Sequence, residues 1–231
     1  VMAVDAALSS ALREMPAWKA VRQDWEAIAS QGLTWASPEN IKRHTVMIGN
    51  VLQFMVTVAD ETQLTLDPAM DTYYFMDTLV SKMPAMIEQM GITWARGTGL
   101  LTKKEISQQQ RVELASILSQ MESTLRAQNT NLEKVMRYAP ALKDRLSVPT
   151  TDFSAGADKV FALVRDDIFT EKFATAPQDY FAMTTQVIDL GYKVMYETLI
   201  PQFEHQLQER LEKSRNLLAF EIGLAVAVGL L

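Results

Sequence analysis

Hydrophobic residues recur along nearly the whole chain at the three- and four-residue spacing of an α-helix. With only 9 glycines and 8 prolines among 231 residues, few positions interrupt this pattern. We therefore predict an all-α, elongated protein of about six helices and no sheet. These helices are expected to form one or two stacked up-down four-helix bundles.

Helix-start signals divide the first half of the chain. One helix is predicted over 1–30. A second begins at Ser37-Pro38-Glu39, where an N-cap candidate precedes a proline and a carboxylate. A third begins with Asp67 as the cap before Pro68, so Asp67→Ala should cost about 1 kcal/mol. Tyr73 is predicted to fill its core face, Pro84 to kink it, and Gly97-Thr98-Gly99 to end it just after Arg96.

The second half is predicted to contain the longest helix. Thr102 to Glu105 has the form of a capping box. The helix after it should run about 45 residues, with a kink at Pro140, and span roughly 65 Å, which favours a rod over a compact domain. A loop over 147–152 and a short helix over 154–169 follow. The last helix starts at Pro177, bends at Pro201 and shows no stop signal.

The chain becomes apolar all round after Arg215, since residues 217–231 carry one charge, Glu221. They would form about 22 Å of helix, short of the roughly 30 Å hydrocarbon core. We predict a helical domain over 1–215 and the start of a truncated transmembrane helix over 216–231. The alternative is a buried C-terminal helix of a soluble protein.

Composition argues against several functions. A net charge of -6 does not suit a nucleic-acid partner, and the absence of cysteine excludes disulfides and thiolate metal sites. A di-iron site would need Glu three residues before each histidine, but Ile41 precedes His44 and Gln202 precedes His205. No nucleotide-binding or hydrolase motif occurs, and methionines at seam spacing favour core packing over haem binding. We expect no enzyme activity, metal or cofactor.

The stretch LTLDPAMDTYYFMD over 64–77, with Met83-Pro84 and the sequence from Gly91 to Gly97, resembles periplasmic sensor regions of bacterial chemoreceptors and sensor kinases. The resemblance covers about residues 35 to 100 and is to sensor regions of the helical bimodular type. It implies a periplasmic helical module anchored in the inner membrane, followed by a HAMP linker and a cytoplasmic output domain. A parallel homodimer is also implied.

The predicted function is therefore ligand sensing in a transmembrane receptor resembling methyl-accepting chemotaxis proteins. A small molecule would bind between helices, and a helix shift would cross the membrane. One alternative is the sensor region of a histidine kinase or diguanylate cyclase. Another is a membrane-tethered helical scaffold without a ligand.

Four residues are candidates for the ligand site. The resemblance makes a small carboxylate a plausible ligand, and such a ligand needs cations or donors beside an apolar seam. Arg43 and His44 lie at the edge of the second helix's stripe, and Arg96 lies near the end of the third. Tyr74 is a better binding candidate than Tyr73, because consecutive helical positions point about 100° apart. The affinity for a carboxylate should fall as pH rises and His44 loses its proton.

Overall fold

A computed structural model describes residues 1–229 of the chain. It is 89% helical, with eight helices and no β-strand in that range, which confirms the all-α prediction. Residues 70–103, 143–168 and 177–229 each form one continuous helix that contains a π-helical turn. The helices are α1 (Met2–Ala7), α2 (Ser10–Glu14), α3 (Pro16–Gln31), α4 (Ser37–Glu61), α5 (70–103), α6 (Gln108–Tyr138), α7 (143–168) and α8 (177–229).

The main core lies inside a four-helix bundle of α5, α6, α7 and α8. On α6 the core includes Leu114, Leu118, Met121, Leu125 and Leu132, which follow the helical spacing of the hydrophobic pattern. A second, small cluster of Trp18, Val21 and Phe54 joins α3 to α4. The α3–α4 hairpin flanks the bundle, and α4 meets it mainly at the π turn of α5.

The π turns explain how α5 and α8 pass through proline. They span Thr78–Lys82 in α5 and Val194–Leu199 in α8, and each ends two residues before a proline. Proline lacks an N–H, and its ring crowds the carbonyl four residues earlier. A wider turn relieves that crowding. Both helices therefore continue across Pro84 and Pro201, as predicted.

Two other prolines act differently from prediction. The chain leaves α6 at Tyr138, and Pro140–Leu142 forms a 3₁₀ turn, so the predicted 45-residue helix is two helices. Conversely, Pro149 lies inside α7, where a loop over 147–152 was expected. Because Leu146, Phe153 and Ala157 on this helix are buried, their packing offsets the hydrogen bond lost at Pro149.

Three predicted helix boundaries are also wrong. The segment 1–30 is three helices, interrupted where Ser9 caps α2 and where Pro16 opens α3. The capping box is formed by Ser107 and Gln110, because α5 extends to Lys103 and Lys104 adopts a left-handed conformation. The predicted start at Ser37 is found, with Ala36 as the N-cap in place of Ser37, whereas α5 begins at Met70, with Ala69 as N-cap, two residues after the predicted start at Pro68.

The predicted break at Gly97 is instead a close contact between α5 and α8. A Cβ on Gly97 would lie 2.4 Å from Cζ and Oη of Tyr180 on α8. The Tyr180 side chain is fully buried, and its hydroxyl donates to the carbonyl oxygen of Thr93 at 3.0 Å. Burial raises the pKa of this phenol. Gly97 therefore allows α5 and α8 to approach closely and does not end a helix.

Asp67 does not cap a helix that begins at Pro68. Its carboxylate accepts two hydrogen bonds from Arg210 of α8, at 2.6 and 2.7 Å, and one from the backbone N–H of Ala69 at 2.9 Å. The Asp67 side chain is only 1% exposed. This ion pair holds the loop before α5 against the distal part of α8. Tyr73, expected in the core, is 38% exposed, whereas Tyr74 packs against the core.

The C-terminal part of α8 leaves the bundle. Every residue from 211 to 226 is exposed, including Leu217, Leu218, Phe220 and Ile222. Within residues 1–229, no helix is both long enough and apolar enough to cross a membrane. The last two residues of the predicted transmembrane segment, 230 and 231, lie outside the described residues.

We predict opposite effects for alanine at two glycines of α5. In Gly97→Ala, the new methyl group collides with Tyr180, so the free energy of unfolding should fall by about 1–3 kcal/mol. Gly99→Ala is the matched control, because a Cβ there meets nothing within 4 Å. Alanine's better helix propensity should raise its stability by up to about 1 kcal/mol. Urea unfolding measures both, and equal stability of the two variants would contradict the contact.

A second prediction concerns Arg210→Met, which leaves the buried Asp67 carboxylate without its cation. We expect a loss of about 2–3 kcal/mol in the free energy of unfolding. Arg215→Met, at an exposed position of the same helix, should change it by less than about 0.5 kcal/mol. Urea titration of both variants tests this, and equal losses would rule out a specific role for the ion pair.

The same ion pair predicts a pH dependence. Burial alone would raise the pKa of Asp67, but hydrogen bonds from Arg210 and Ala69 outweigh it and hold that pKa below its ordinary value. The pair's contribution is therefore complete above the ordinary aspartate value and is lost as pH falls through the lowered one. The stability difference between wild type and Arg210→Met should shrink over that acidic window.

Candidate ligand groove

A long groove runs between α4 and the outer surface of the bundle. The apolar seam of α4 is buried at its C-terminal end, where Ala59 is 2% exposed, but open at its N-terminal end, where Ile41 is 55% exposed. This gradient arises because α4 contacts the bundle near Thr78–Lys82 and makes few contacts with the rest of α5. The space beside the N-terminal half of α4 is left unfilled.

This space, which we call the α4 groove, has a volume of about 940 Å³. Its walls come from α4, from α5, from α8 and from the turn before α4. They are largely apolar and include Leu33, Trp35, Ile41, Ile48, Ile92 and Ile188. Gly91 on α5 opens directly into free space, since a Cβ there would meet nothing within 4 Å. Volume and lining both suit a small organic molecule.

The structure brings two of the four predicted site residues to this groove. His44 lines it from α4 and Arg96 lines it from α5. The sequence predicted that the helix would end just after Arg96. This prediction is wrong, because α5 continues to Lys103. That two residues 52 positions apart meet at one groove follows from the packing of α4 beside α5. Ligand binding by either residue remains a prediction.

The other two predicted residues are placed elsewhere. Arg43 does not line the groove; its guanidinium carbon lies 5.3 Å from the ring centroid of Trp35, and its Nε donates to Glu39 at 2.7 Å. Tyr74 lies against α6, where its hydroxyl accepts a hydrogen bond from Lys134 at 3.0 Å. The Lys134 nitrogen is also 4.3 Å from the Tyr74 ring centroid. Through both contacts with Lys134, Tyr74 links α5 to α6.

The basic groups of the groove already have protein partners. Nη1 of Arg96 donates to Oε2 of Glu113 on α6 at 2.6 Å, which is a short, charge-assisted hydrogen bond. Nδ1 of His44 lies 2.9 Å from the carbonyl oxygen of Asn40, one helical turn earlier. That carbonyl accepts from Nδ1–H, so Nε2 is the nitrogen that remains for other interactions.

Glu88 is the acidic member of the groove, and sequence reasoning missed it. It is half-buried on α5, and among residues 1–229 no cation or hydrogen-bond donor pairs with its carboxylate. Burial raises the pKa of Glu88. The sequence offered a signal, because Glu88 lies next to the seam residue Ile87 and one turn before Gly91. Its lack of a partner depends on which helices surround it, which the sequence does not show.

Trp94 also borders the groove. Its ring packs against Phe181 of α8 with centroids 4.7 Å apart. The indole Nε1 is buried and has no hydrogen-bond partner in the described part of the chain. Thr185 and Ile188 follow Phe181 along α8 and complete that wall. The last helix is therefore part of the groove.

No three His, Asp or Glu side chains within residues 1–229 are grouped closely enough to hold a metal ion. No protein-family model matches the chain, and no curated protein or solved structure matches it either. The resemblance of residues 35 to 100 to helical sensor regions thus rests on the sequence pattern alone.

Proposed function

We propose that this chain is the ligand-sensing region of a bacterial transmembrane receptor of the chemotaxis type, and that its ligand binds in the α4 groove. One observation carries the proposal. The last helix, α8, supplies Thr185 and Ile188 to the groove wall and then continues beyond the bundle to residue 229. A molecule in the groove would therefore touch the element that leaves the domain.

The physical mechanism is a shift between two packings of α4 against α5 and α8. The N-terminal half of α4 leaves Ile41 exposed, so a tighter arrangement with more apolar contact is available to it. A ligand that binds the tighter arrangement better would shift the population toward it. The π turn at Val194–Leu199 lies between the groove and the distal part of α8. Within this turn the backbone hydrogen bonds follow the π pattern, which differs from that of the α-helix on either side.

We further propose that the exposed end of α8 attaches the chain to the inner membrane, with the bundle in the periplasm. Support comes from Leu217, Leu218, Phe220 and Ile222, which are each more than half exposed. Such a continuous apolar surface is rare on a soluble domain unless it meets a partner or lipid. A shared membrane would also concentrate copies and favour the parallel homodimer.

Binding in the groove can be tested with N-phenylnaphthylamine, a neutral fluorescent probe of apolar sites. Gly91→Leu places a side chain into the groove, so the dissociation constant should rise by at least about tenfold. Gly49→Leu is the matched control, because a Cβ there also meets nothing within 4 Å and Gly49 does not line the groove. Wild-type affinity in both variants would place binding elsewhere and favour the scaffold alternative.

Transmission can be followed by electron-spin distance measurements, because the chain has no native cysteine. Spin labels at Ser119→Cys on α6 and Ser214→Cys on α8 should show a changed distance distribution when the same dye saturates the groove. An unchanged distribution at saturation would contradict signalling through α8. Label at Ser214→Cys alone gives a distance only when two chains pair, which checks the homodimer.

Membrane attachment predicts that the chain floats with phosphatidylcholine vesicles in a density gradient. Leu218→Glu with Ile222→Glu should abolish flotation, because each charge would have to enter the hydrocarbon. Ala115→Glu with Ser116→Glu adds the same charge at exposed positions of α6 and should float like wild type. A wild-type chain that stays at the bottom of the gradient would refute the attachment.

A further inference from the structure

The uncompensated charge of the α4 groove is negative. Arg96, which lines the groove, is paired with Glu113 at 2.6 Å, and Arg43, which lies outside the lining, is paired with Glu39 at 2.7 Å. The Glu88 carboxylate has no such partner within residues 1–229. A carboxylate ligand would therefore have to compete with Glu113 for Arg96 and approach Glu88. A cation would meet an unpaired carboxylate that is already partly desolvated.

The groove also carries the aromatic surface that organic cations favour. Trp94 and Trp35 both line it, and indole is the side chain whose ring most strongly attracts ammonium groups. The aliphatic side chains of Ile41, Ile48 and Ile188 offer room for an apolar body beyond the charged head. A carboxylate, two indole side chains and an apolar wall thus line one cavity, with the Arg43 guanidinium carbon 5.3 Å from the Trp35 ring centroid.

We propose that the α4 groove selects an organic cation, an amine with an apolar body, whose ammonium group pairs with Glu88. This proposal rests on the proposed function, because it assumes that the groove binds a ligand. It departs from the carboxylate that the resemblance to sensor regions suggests. The pairing also gives Glu88 a role, since a partly buried carboxylate is costly without a counter-charge.

Three probes of nearly equal shape separate charge from shape: phenylbutylamine, which is cationic at neutral pH, phenylbutanol, which is neutral, and phenylbutyrate, which is anionic. Each competes with N-phenylnaphthylamine for the wild-type chain at pH 7. We expect the amine to displace the dye at a concentration at least about tenfold lower than either of the others. An amine that competes no better than the alcohol would overturn the proposal.

Glu88→Gln removes the charge and keeps the side-chain shape, and Glu105→Gln makes the same change at an exposed position outside the groove. The preference for the amine over the alcohol should vanish in Glu88→Gln and persist in Glu105→Gln, while the alcohol binds all three proteins equally. A preference that survives Glu88→Gln would overturn the assignment of this residue.

The outcomes also separate this inference from the function on which it rests. If dye and alcohol bind wild type and lose affinity in Gly91→Leu, but the amine has no advantage, the groove is a ligand site and the inference is wrong. If phenylbutyrate binds best and its binding depends on Arg96, the groove selects a carboxylate and the proposed organic cation is wrong. If neither the dye nor any of the three probes binds wild type, both the inference and the proposed function fail.

Discussion

The close approach of α5 and α8 fixes most of the remaining architecture. Tyr180 fits against the bare backbone of Gly97, and two further glycines repeat this device. A Cβ on Gly156 would meet Val187 at 3.1 Å, and one on Gly191 would meet Phe153 at 2.9 Å. Large side chains opposite glycines allow few alternative registers, because interiors are packed densely. The rotation and height of α8 follow from these contacts.

The fixed register of α8 determines two further contacts of this helix, the groove wall and the ion pair of Arg210. With Tyr180 seated at the start of the helix, Thr185 and Ile188 face α4 and form a groove wall. About eight turns after Tyr180, Arg210 reaches the buried carboxylate of Asp67. The helix is thus held at two points, and its exposed end continues beyond the second. A displacement near the groove has to pass the π turn and the Arg210 ion pair before it reaches that end.

The groove exists because α4 is held unevenly. Its C-terminal end is buried against the bundle and the α3 hairpin, whereas its N-terminal end leaves apolar side chains uncovered. Apolar surface beside water is unfavourable, so this half of α4 gains stability from whatever fills the space. The groove's cations are paired within the protein and its carboxylate is not, which ties the proposed ligand chemistry to the fold.

The sequence alone determined the features that are local. Periodicity predicts the all-helical fold and the buried seam of α6, and the Ser37 and Pro177 signals find helix starts within a residue, because spacing and first-turn chemistry involve near neighbours. Only the tertiary structure decided whether a glycine or proline in the pattern ends a helix or lies within it. Gly97 lies within a helix because Tyr180 packs on it, and burial carries α7 through Pro149, whereas Pro140 follows the end of α6. His44 and Arg96 were identified as candidates, but their shared groove, the unpaired Glu88 and the Asp67–Arg210 ion pair depend on contacts between distant segments, which local spacing does not encode.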